Sequence, residues 1–500
     1  MRRILPLDQE HALFGVAPTR AIEQRAAAAL PAFALMARAG TAVARLALAV
    51  APHARKIWIA AGPGNNGGDG LEAACHLKRW GKEVTVALIG DPLALPADAA
   101  AALARARLVG VQIELTAATP ATPPDLAIDA LLGLGASRAP QGQIADAVRA
   151  LNVLSCTVLA VDLPSGLSAD TGRPIGDACV VATHTLTLLT LKPGLFTAAG
   201  RDHAGTVWLD DLGVDSTPVG ATAWLSGAGA DTRPAQRRHA QHKGSFGNVA
   251  VVGGAVGMSG AALLAARAAH AAGAGRVFVD LLDASAAAPG VDLLRPELML
   301  RRDWSNSAPD VLAVSTVVCG CGGGDAVRRT LPRLLSLSAR LLLDADALNA
   351  LADDPALAAL LRQRAERGRA TVLTPHPLEA ARLLGCTTTD VQADRLRAAQ
   401  AIADRFHAVT VLKGSGSVIA AVGQAPRINC TGNAALATAG TGDVLAGWLG
   451  GRWAMVETDD EMAAAFANAR HAVAEHGAAA EPQPPGALAA GELIERLRRG

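Results

Sequence analysis

Two groups of residues have the types and spacing for chemistry. In the second half, Lys413-Gly414-Ser415-Gly416-Ser417 follows the apolar run AVTVL, and Ala439-Gly440-Thr441-Gly442-Asp443-Val444-Leu445 sets glycines ahead of a helical run. Unpaired N–H groups at a helix start favour developing negative charge, and a carboxylate beside them takes a hydroxyl proton. Phosphoryl transfer to a hydroxyl needs that combination. Other punctuated sites are His242-Lys243-Gly244, Met258-Ser259-Gly260-Ala261, Pro296-Glu297-Leu298-Met299, Leu343-Asp344-Ala345-Asp346 and Thr374-Pro375-His376-Pro377-Leu378-Glu379. Taken alone, His376 reads as a structural histidine, and Asp344 and Asp346 as helix caps. In the first half, Gly62-Pro63-Gly64-Asn65-Asn66-Gly67-Gly68-Asp69-Gly70 lies between a strand-like and a helix-like stretch, where backbone N–H groups can cradle an anion. It matches neither G-x-G-x-x-G nor G-x-x-x-x-G-K-[ST]. Asp129 with Gly133-Leu134-Gly135-Ala136-Ser137-Arg138, and Asp162 in Val161-Asp162-Leu163-Pro164-Ser165-Gly166, mark further strand ends. Carboxylates there serve as acid/base groups, cation ligands or helix caps. Arg138 suits phosphate or solvent, and Lys192, ending TLTLLTL, reads equally as functional or as a surface lysine.

Such residues need strand ends to stand on. Residues 17–50 read as two helices broken near Pro31. A strand over 57–61, a helix over 71–80 and a strand over 84–89 begin a βαβ pattern, continued by 126–132, a helix over 144–154 and 158–161. The loops fall at the carboxyl ends of strands, where open α/β sheets bind ligands. Periodicity fades between 213 and 241, which marks a domain boundary. A second alternation follows, with the runs NVAVVGG, RVFVDLL, STVVCG, RLLLDAD, ATVLTPH and AVTVLKG. The fold class expected is α/β in two domains that meet between 213 and 241.

Composition limits what such a chain can do. Hydrophobic residues at 51% against charged residues at 18% exclude a mainly disordered chain of 500 residues. Lys+Arg minus Asp+Glu is 46 − 45 = +1, so no field holds nucleic acid or an anionic membrane. Seven cysteines without framework spacing read as reduced thiols. The start MRRILPLDQEHALFG lacks the apolar core of a secretory signal, and the uncharged stretch 244–266 reads as strand, turn and buried helix. A cytoplasmic protein is expected.

With the motifs in place, residues 1–214 resemble the YjeF N-terminal family, the NAD(P)H-hydrate epimerases. GPGNNGGDG, Asp129 with GLGASR, VDLPSG and LKPGL carry the resemblance. It implies a Rossmann-like sheet. It also implies a site for the hydrated dinucleotide at Asn65, Asn66, Gly67, Gly68, Asp69, Gly133, Leu134, Gly135, Ala136, Ser137, Arg138, Ala139 and Asp162. Potassium would lie on Asn66, Asp129 and Ser165, all hard oxygen donors. Asp162 is the residue expected to transfer the proton.

Residues 222–500 resemble the YjeF C-terminal family, the ADP- or ATP-dependent NAD(P)H-hydrate dehydratases, whose fold is ribokinase-like. Lys413, Gly414, Ser415, Gly416, Ser417 and Gly442 are implied as nucleotide contacts. Ala261, Gly324, His376 and Asp443 are implied for the hydrated dinucleotide, with Asp443 catalytic. Magnesium is implied with the nucleotide. The sequence departs from the family pattern at Gly320-Cys321-Gly322-Gly323-Gly324, in place of G-P-G-L-G, and at Leu378, in place of glycine. The joined order resembles the bifunctional NAD(P)H-hydrate repair enzymes. Epimerisation in the first domain and dehydration in the second are expected, with the S epimer, ADP or ATP as ligands and NAD(P)H, AMP and phosphate as products from ADP. A homo-oligomer is expected as well. The alternatives are a ribokinase-like small-molecule kinase and an N-terminal domain that only binds ligand or a partner.

Overall fold

The computed structural model describes residues 1–118, 120, 122–217, 219–227, 237–283, 290–481 and 486–499. The chain divides into two compact units, Met1–Leu7 with His11–Trp224, and Asp8–Glu10 with Leu225–Gly500. Residues 228–236 of the expected linker lie outside the described residues.

In the first unit, helices α1 (Val16–Ala29) and α2 (Ala34–Val50) flank the expected break at Pro31. Strands β1 (Arg2–Arg3), β2 (Lys56–Ala61), β3 (Glu83–Leu88), β4 (Gln112–Glu114), β5 (Leu126–Ala130), β6 (Thr157–Val161), β7 (His184–Leu188) and β8 (Thr206–Asp210) form one sheet in the order β1-β8-β7-β6-β5-β2-β3-β4. All neighbours run parallel except β1 with β8. Parallel strands covered on both faces read as continuous apolar runs, and β5 is buried at all five positions. The order reverses between β2 and β5, so the loops after these strands diverge and leave a crevice between them.

One element begins earlier than the sequence suggests. Helix α3 spans Asn65–Arg79, so most of the glycine segment is helical rather than a turn. The reason is packing. A Cβ on Gly67 would fall 1.9 Å from the Gly62 carbonyl oxygen, one on Gly68 2.5 Å from Met36 Cε, and one on Gly70 2.6 Å from Ala130 Cβ. Each glycine costs the helix about 1 kcal/mol relative to alanine. Contact with β5 and α2 more than offsets that cost, which a local reading cannot see.

The second unit has the same logic in a second sheet. Strands β9 (Asn248–Gly253), β10 (Arg276–Leu281), β11 (Met299–Leu300), β12 (Thr316–Cys319), β13 (Arg340–Leu343), β14 (Thr371–Leu373), β15 (Val409–Leu412), β16 (Val418–Ala421) and β17 (Gln424–Asn429) lie in the order β11-β10-β9-β12-β13-β14-β15-β16-β17. Pairing is parallel as far as β15 and antiparallel through β16 and β17. Helix α4 (Ser259–Ala271) packs against α5 (Thr441–Trp453) with almost no side chain between them. Cβ atoms on Gly447 and Gly451 would lie 1.9 Å and 2.5 Å from the carbonyl oxygens of Ala265 and Ala269. That contact fixes where the first turn of α5 points. No single helix among the described residues is long and apolar enough to cross a membrane.

Candidate functional sites

The crevice at the β2/β5 reversal opens into a cavity of about 590 Å³. Of the residues expected there, Asn65, Asn66, Asp69, Gly133, Leu134, Gly135, Ala136 and Asp162 line it. Gly67 and Gly68 are buried behind it in α3, Ser137 and Arg138 are exposed beyond the lining, and Ala139 meets Gly176. The cavity also takes Arg20 and Glu23 from α1, and Lys192. No sequence signal marks Arg20 or Glu23, which sit in an alanine-rich helix. Only the fold brings them to the strand ends.

Asp162 follows β6 in the left-handed region, at φ +66°. Its backbone N–H donates to Leu186 O (2.7 Å), and its Oδ2 accepts from the Leu134 N–H (3.0 Å). Its Oδ1 accepts from Lys192 Nζ at 2.5 Å. Lys192 is 1% exposed, and it also donates to Thr187 Oγ1 (3.0 Å) and the Leu188 carbonyl (2.7 Å), so all three ammonium protons are used. The surface reading of Lys192 is therefore wrong: it is a buried partner of Asp162. Burial, with the charges of Asp162, Glu23 and Asp98, pushes Asp69 well above the usual carboxylate range. Glu23 is raised by burial and by Asp162.

Asp129 lies inside β5 and is fully buried. It accepts from Ser165 Oγ (2.6 Å), Ser165 N–H (2.8 Å) and Leu131 N–H (3.2 Å). Burial raises it to about 6 despite those donors. Asn66 is near by, since a Cβ on Gly133 would lie 3.0 Å from Asn66 Oδ1 and 3.2 Å from Asp162 Oδ2. Asn66 Nδ2 is buried with no hydrogen-bond partner among the described residues.

In the second unit the strand ends carry Cys321, Asp344, Thr374 and Lys413. Lys413 Nζ donates to Asp344 Oδ1 at 2.6 Å and lies 4.0 Å from Glu379. A Cβ on Gly442 would meet Lys413 Nζ at 3.5 Å, which brings the lysine loop over the first turn of α5. Burial alone would lower the Lys413 ammonium, but Asp344 and Glu379 hold it above its ordinary value. Asp443 stands in that first turn; burial and the neighbouring Asp344 raise it to about 6. Glu379 is raised to about 7 by burial, against the pull of Lys413. Ser417 Oγ donates to Gly414 O, so the loop closes on itself.

Ala261, in the first turn of α4, meets the loop after β12, where a Cβ on Gly322 would lie 3.0 Å from Ala261 Cβ. Gly324 donates its N–H to Asp346 Oδ2 at 2.8 Å. His376 is the N-cap of the helix Pro377–Leu384: its Nδ1 accepts from Leu378 N–H (3.1 Å) and Glu379 N–H (3.4 Å). Its structural reading thus has a mechanism, while Nε2 faces Glu379 Oε1 at 3.2 Å on a side chain that is 46% exposed. Local sequence marks Cys321 as no more than a reduced thiol, yet it lies beside Asp344.

Residues 32–194 match the family model described as YjeF-related protein N-terminus, and residues 249–499 match the model described as NAD(P)H-hydrate dehydratase. The bifunctional NAD(P)H-hydrate repair enzyme Nnr of Escherichia coli K12 is 37% identical over 428 residues, covering 84% of this chain and 80% of the relative. The bifunctional repair enzyme of Leishmania major is 34% identical over 499 residues, covering 93% and 88%. Among solved structures, the Bacillus subtilis ADP/ATP-dependent NAD(P)H-hydrate dehydratase co-crystallised with ATP and Mg2+ is 29% identical over 53% of this chain and 92% of that one, with a TM-score of 0.42.

Proposed function

The chain belongs to the family of bifunctional NAD(P)H-hydrate repair enzymes, and from that premise we propose how its two sites divide the work. The N-terminal domain is the epimerase and the C-terminal, ribokinase-like domain is the ADP- or ATP-dependent dehydratase. A small-molecule kinase is not favoured.

In the first site Asp162 takes the proton of the 6-hydroxyl. The oxygen lone pair then forms a carbonyl as the C6–N1 bond opens, and N1 accepts a proton from Asp69, whose carboxyl burial pushes well above the usual carboxylate range. Closure on the other carbonyl face reverses these transfers and gives the second epimer. Lys192 touches Asp162 and is a positioning residue. Arg20 supplies a cation for the dinucleotide's phosphates. Asn66, Asp129, Ser165 and the Leu132 carbonyl would hold potassium. The fit is supported by the buried Asp129 carboxylate, which has no side-chain cation bonded to it among the described residues. That ion would supply positive charge to offset Asp129 and the substrate's phosphates.

In the second site Asp443 takes the 6-hydroxyl proton and the oxygen attacks the terminal phosphorus, releasing AMP when the donor is ADP. The N1 lone pair expels phosphate from C6, and loss of a C5 proton restores the ring double bond. Lys413 and the N–H groups at the start of α5 face the transferred charge. Magnesium comes with the nucleotide and keeps mainly phosphate and water ligands. The observation that carries this assignment is Lys413 lying between Asp344 and Gly442, next to Asp443. A cytoplasmic location and a homo-oligomer complete the reading. Recovery of the nicotinamide absorbance from separated R and S hydrates tests it. The S epimer should be repaired with ADP or ATP alone, and the R epimer only through the first site. A stable phosphorylated product would instead mark a kinase.

A further inference from the structure

The loop after β12 places Cys321 beneath the acids of the second site. Its side chain is fully buried, and Sγ lies 4.0 Å from Asp344 Oδ2. Ligand atoms of Cys321, Asp344 and Asp443 all fall within 4.8 Å of one another. Asp344 divides its oxygens: Oδ1 accepts from Lys413 Nζ (2.6 Å) and Thr374 Oγ1 (2.7 Å), which leaves Oδ2 turned to the thiol. A thiol is a weak donor with one proton, and here it faces two carboxylates. We propose that Cys321, Asp344 and Asp443 form a binding site for a thiophilic divalent cation of the zinc class, and that its occupation shuts down the second site by taking Asp443.

The donor set fits such an ion. One thiolate and two carboxylate oxygens make three protein ligands with a fourth position open, and Asp443 is the member reached from solvent. Tetrahedral zinc, with a sulfur at ~2.3 Å and oxygens at ~2.0–2.2 Å, sets S···O separations of about 3.5 Å. The gap between Cys321 and Asp344 therefore closes by roughly half an ångström, within reach of side-chain rotation. Sulfur selects against magnesium and calcium, so the nucleotide's own cation is a poor competitor. On binding, the thiol proton leaves to solvent. Three anionic ligands then balance the dication and the Lys413 ammonium, so the buried cluster becomes neutral overall. Binding stands on this geometry alone, whereas inhibition also rests on the role proposed for Asp443.

Titrating the full chain with Co2+ without nucleotide should build a thiolate-to-cobalt charge-transfer absorption. The band should saturate at one equivalent, be displaced by Zn2+, and be lost in Cys321→Ser. Asp443→Asn keeps the thiolate and replaces an anionic carboxylate ligand with a neutral amide at a half-buried helix start, so it serves if Cys321→Ser does not fold. Co2+ binding should weaken there by at least ~10-fold, the cost of losing even an outer-shell partner. No band in the native chain, a band undiminished in Cys321→Ser, or unchanged affinity in Asp443→Asn would overturn the site. In the same chain Zn2+ should abolish dehydration, spare epimerisation, and be reversed by a chelator. A band without loss of dehydration overturns the inhibition; absence of dehydration before zinc is added instead overturns the proposed function and leaves the titration interpretable.

Discussion

Both sites set a lysine against an aspartate at parallel strand ends, Lys192 on Asp162 at 2.5 Å and Lys413 on Asp344 at 2.6 Å. The two lysines nevertheless sit in different surroundings. Lys192 is sealed in, spends every proton on protein acceptors and grips the proposed base itself. Lys413 is 19% exposed, grips a neighbour of the proposed base, and lies against the helix start proposed to face phosphate. A buried ammonium with no proton to spare fixes a geometry, while one with protons to spare binds a ligand. The surroundings of the bases follow suit. Asp162 is held by donors from three sides, whereas Asp443 is raised to about 6 by burial and by Asp344.

The strongest test separates the two bases. Asp443→Asn should lower the dehydration rate about 10²–10⁴-fold and leave epimerisation at its native rate. Asp162→Asn should do the reverse, so that a mixture of epimers stalls once its S fraction is repaired. If either variant slows both reactions equally, the division of labour is wrong.

Lys192→Met removes one member of a buried pair, which costs about 3–5 kcal/mol of folding stability, measurable by urea unfolding. Where the variant stays folded, epimerisation should lose kcat with little change in KM. Lys413→Met should instead raise the nucleotide KM roughly tenfold, the loss of one charge-assisted hydrogen bond, besides lowering kcat for dehydration. An unchanged nucleotide KM in Lys413→Met would erase the contrast drawn between the two lysines.

The pH profile sharpens it further. Asp443 must be ionised to accept a proton, so kcat/KM for dehydration should fall as pH drops through about 6. That limb should disappear from whatever residual dehydration Asp443→Asn retains. The smallest effect expected is potassium binding at Asn66, Asp129 and Ser165. Potassium, against a large organic cation at equal ionic strength, should raise the first unit's melting temperature by about 2–4 °C per kcal/mol of binding. Asp129→Ala should remove the increment.

The sequence alone determined the central strands to within a residue or two, whereas the strands Gln112–Glu114, Thr206–Asp210, Val418–Ala421 and Gln424–Asn429 went unmarked. Apolar runs such as LAIDA and TVLAV, ended by polar or glycine residues, can form little other than covered parallel strands. It also placed Asp443 correctly in a first helical turn, because a cap and its helix are neighbours in the chain. Whatever depends on residues distant in the chain was decided by the tertiary structure. Gly67, Gly68 and Gly70 read locally as a turn, yet they are helical because α3 must approach Gly62, α2 and β5 more closely than any Cβ allows. Lys192 read as surface or site until the fold wrapped Thr187, Leu188 and Asp162 around it. Arg20 and Glu23, on a helix with no motif, enter the cavity only because α1 packs over the strand ends. Cys321 gains its meaning from Asp344 and Asp443, 23 and 122 positions further on, and no local pattern encodes a distance across a sheet.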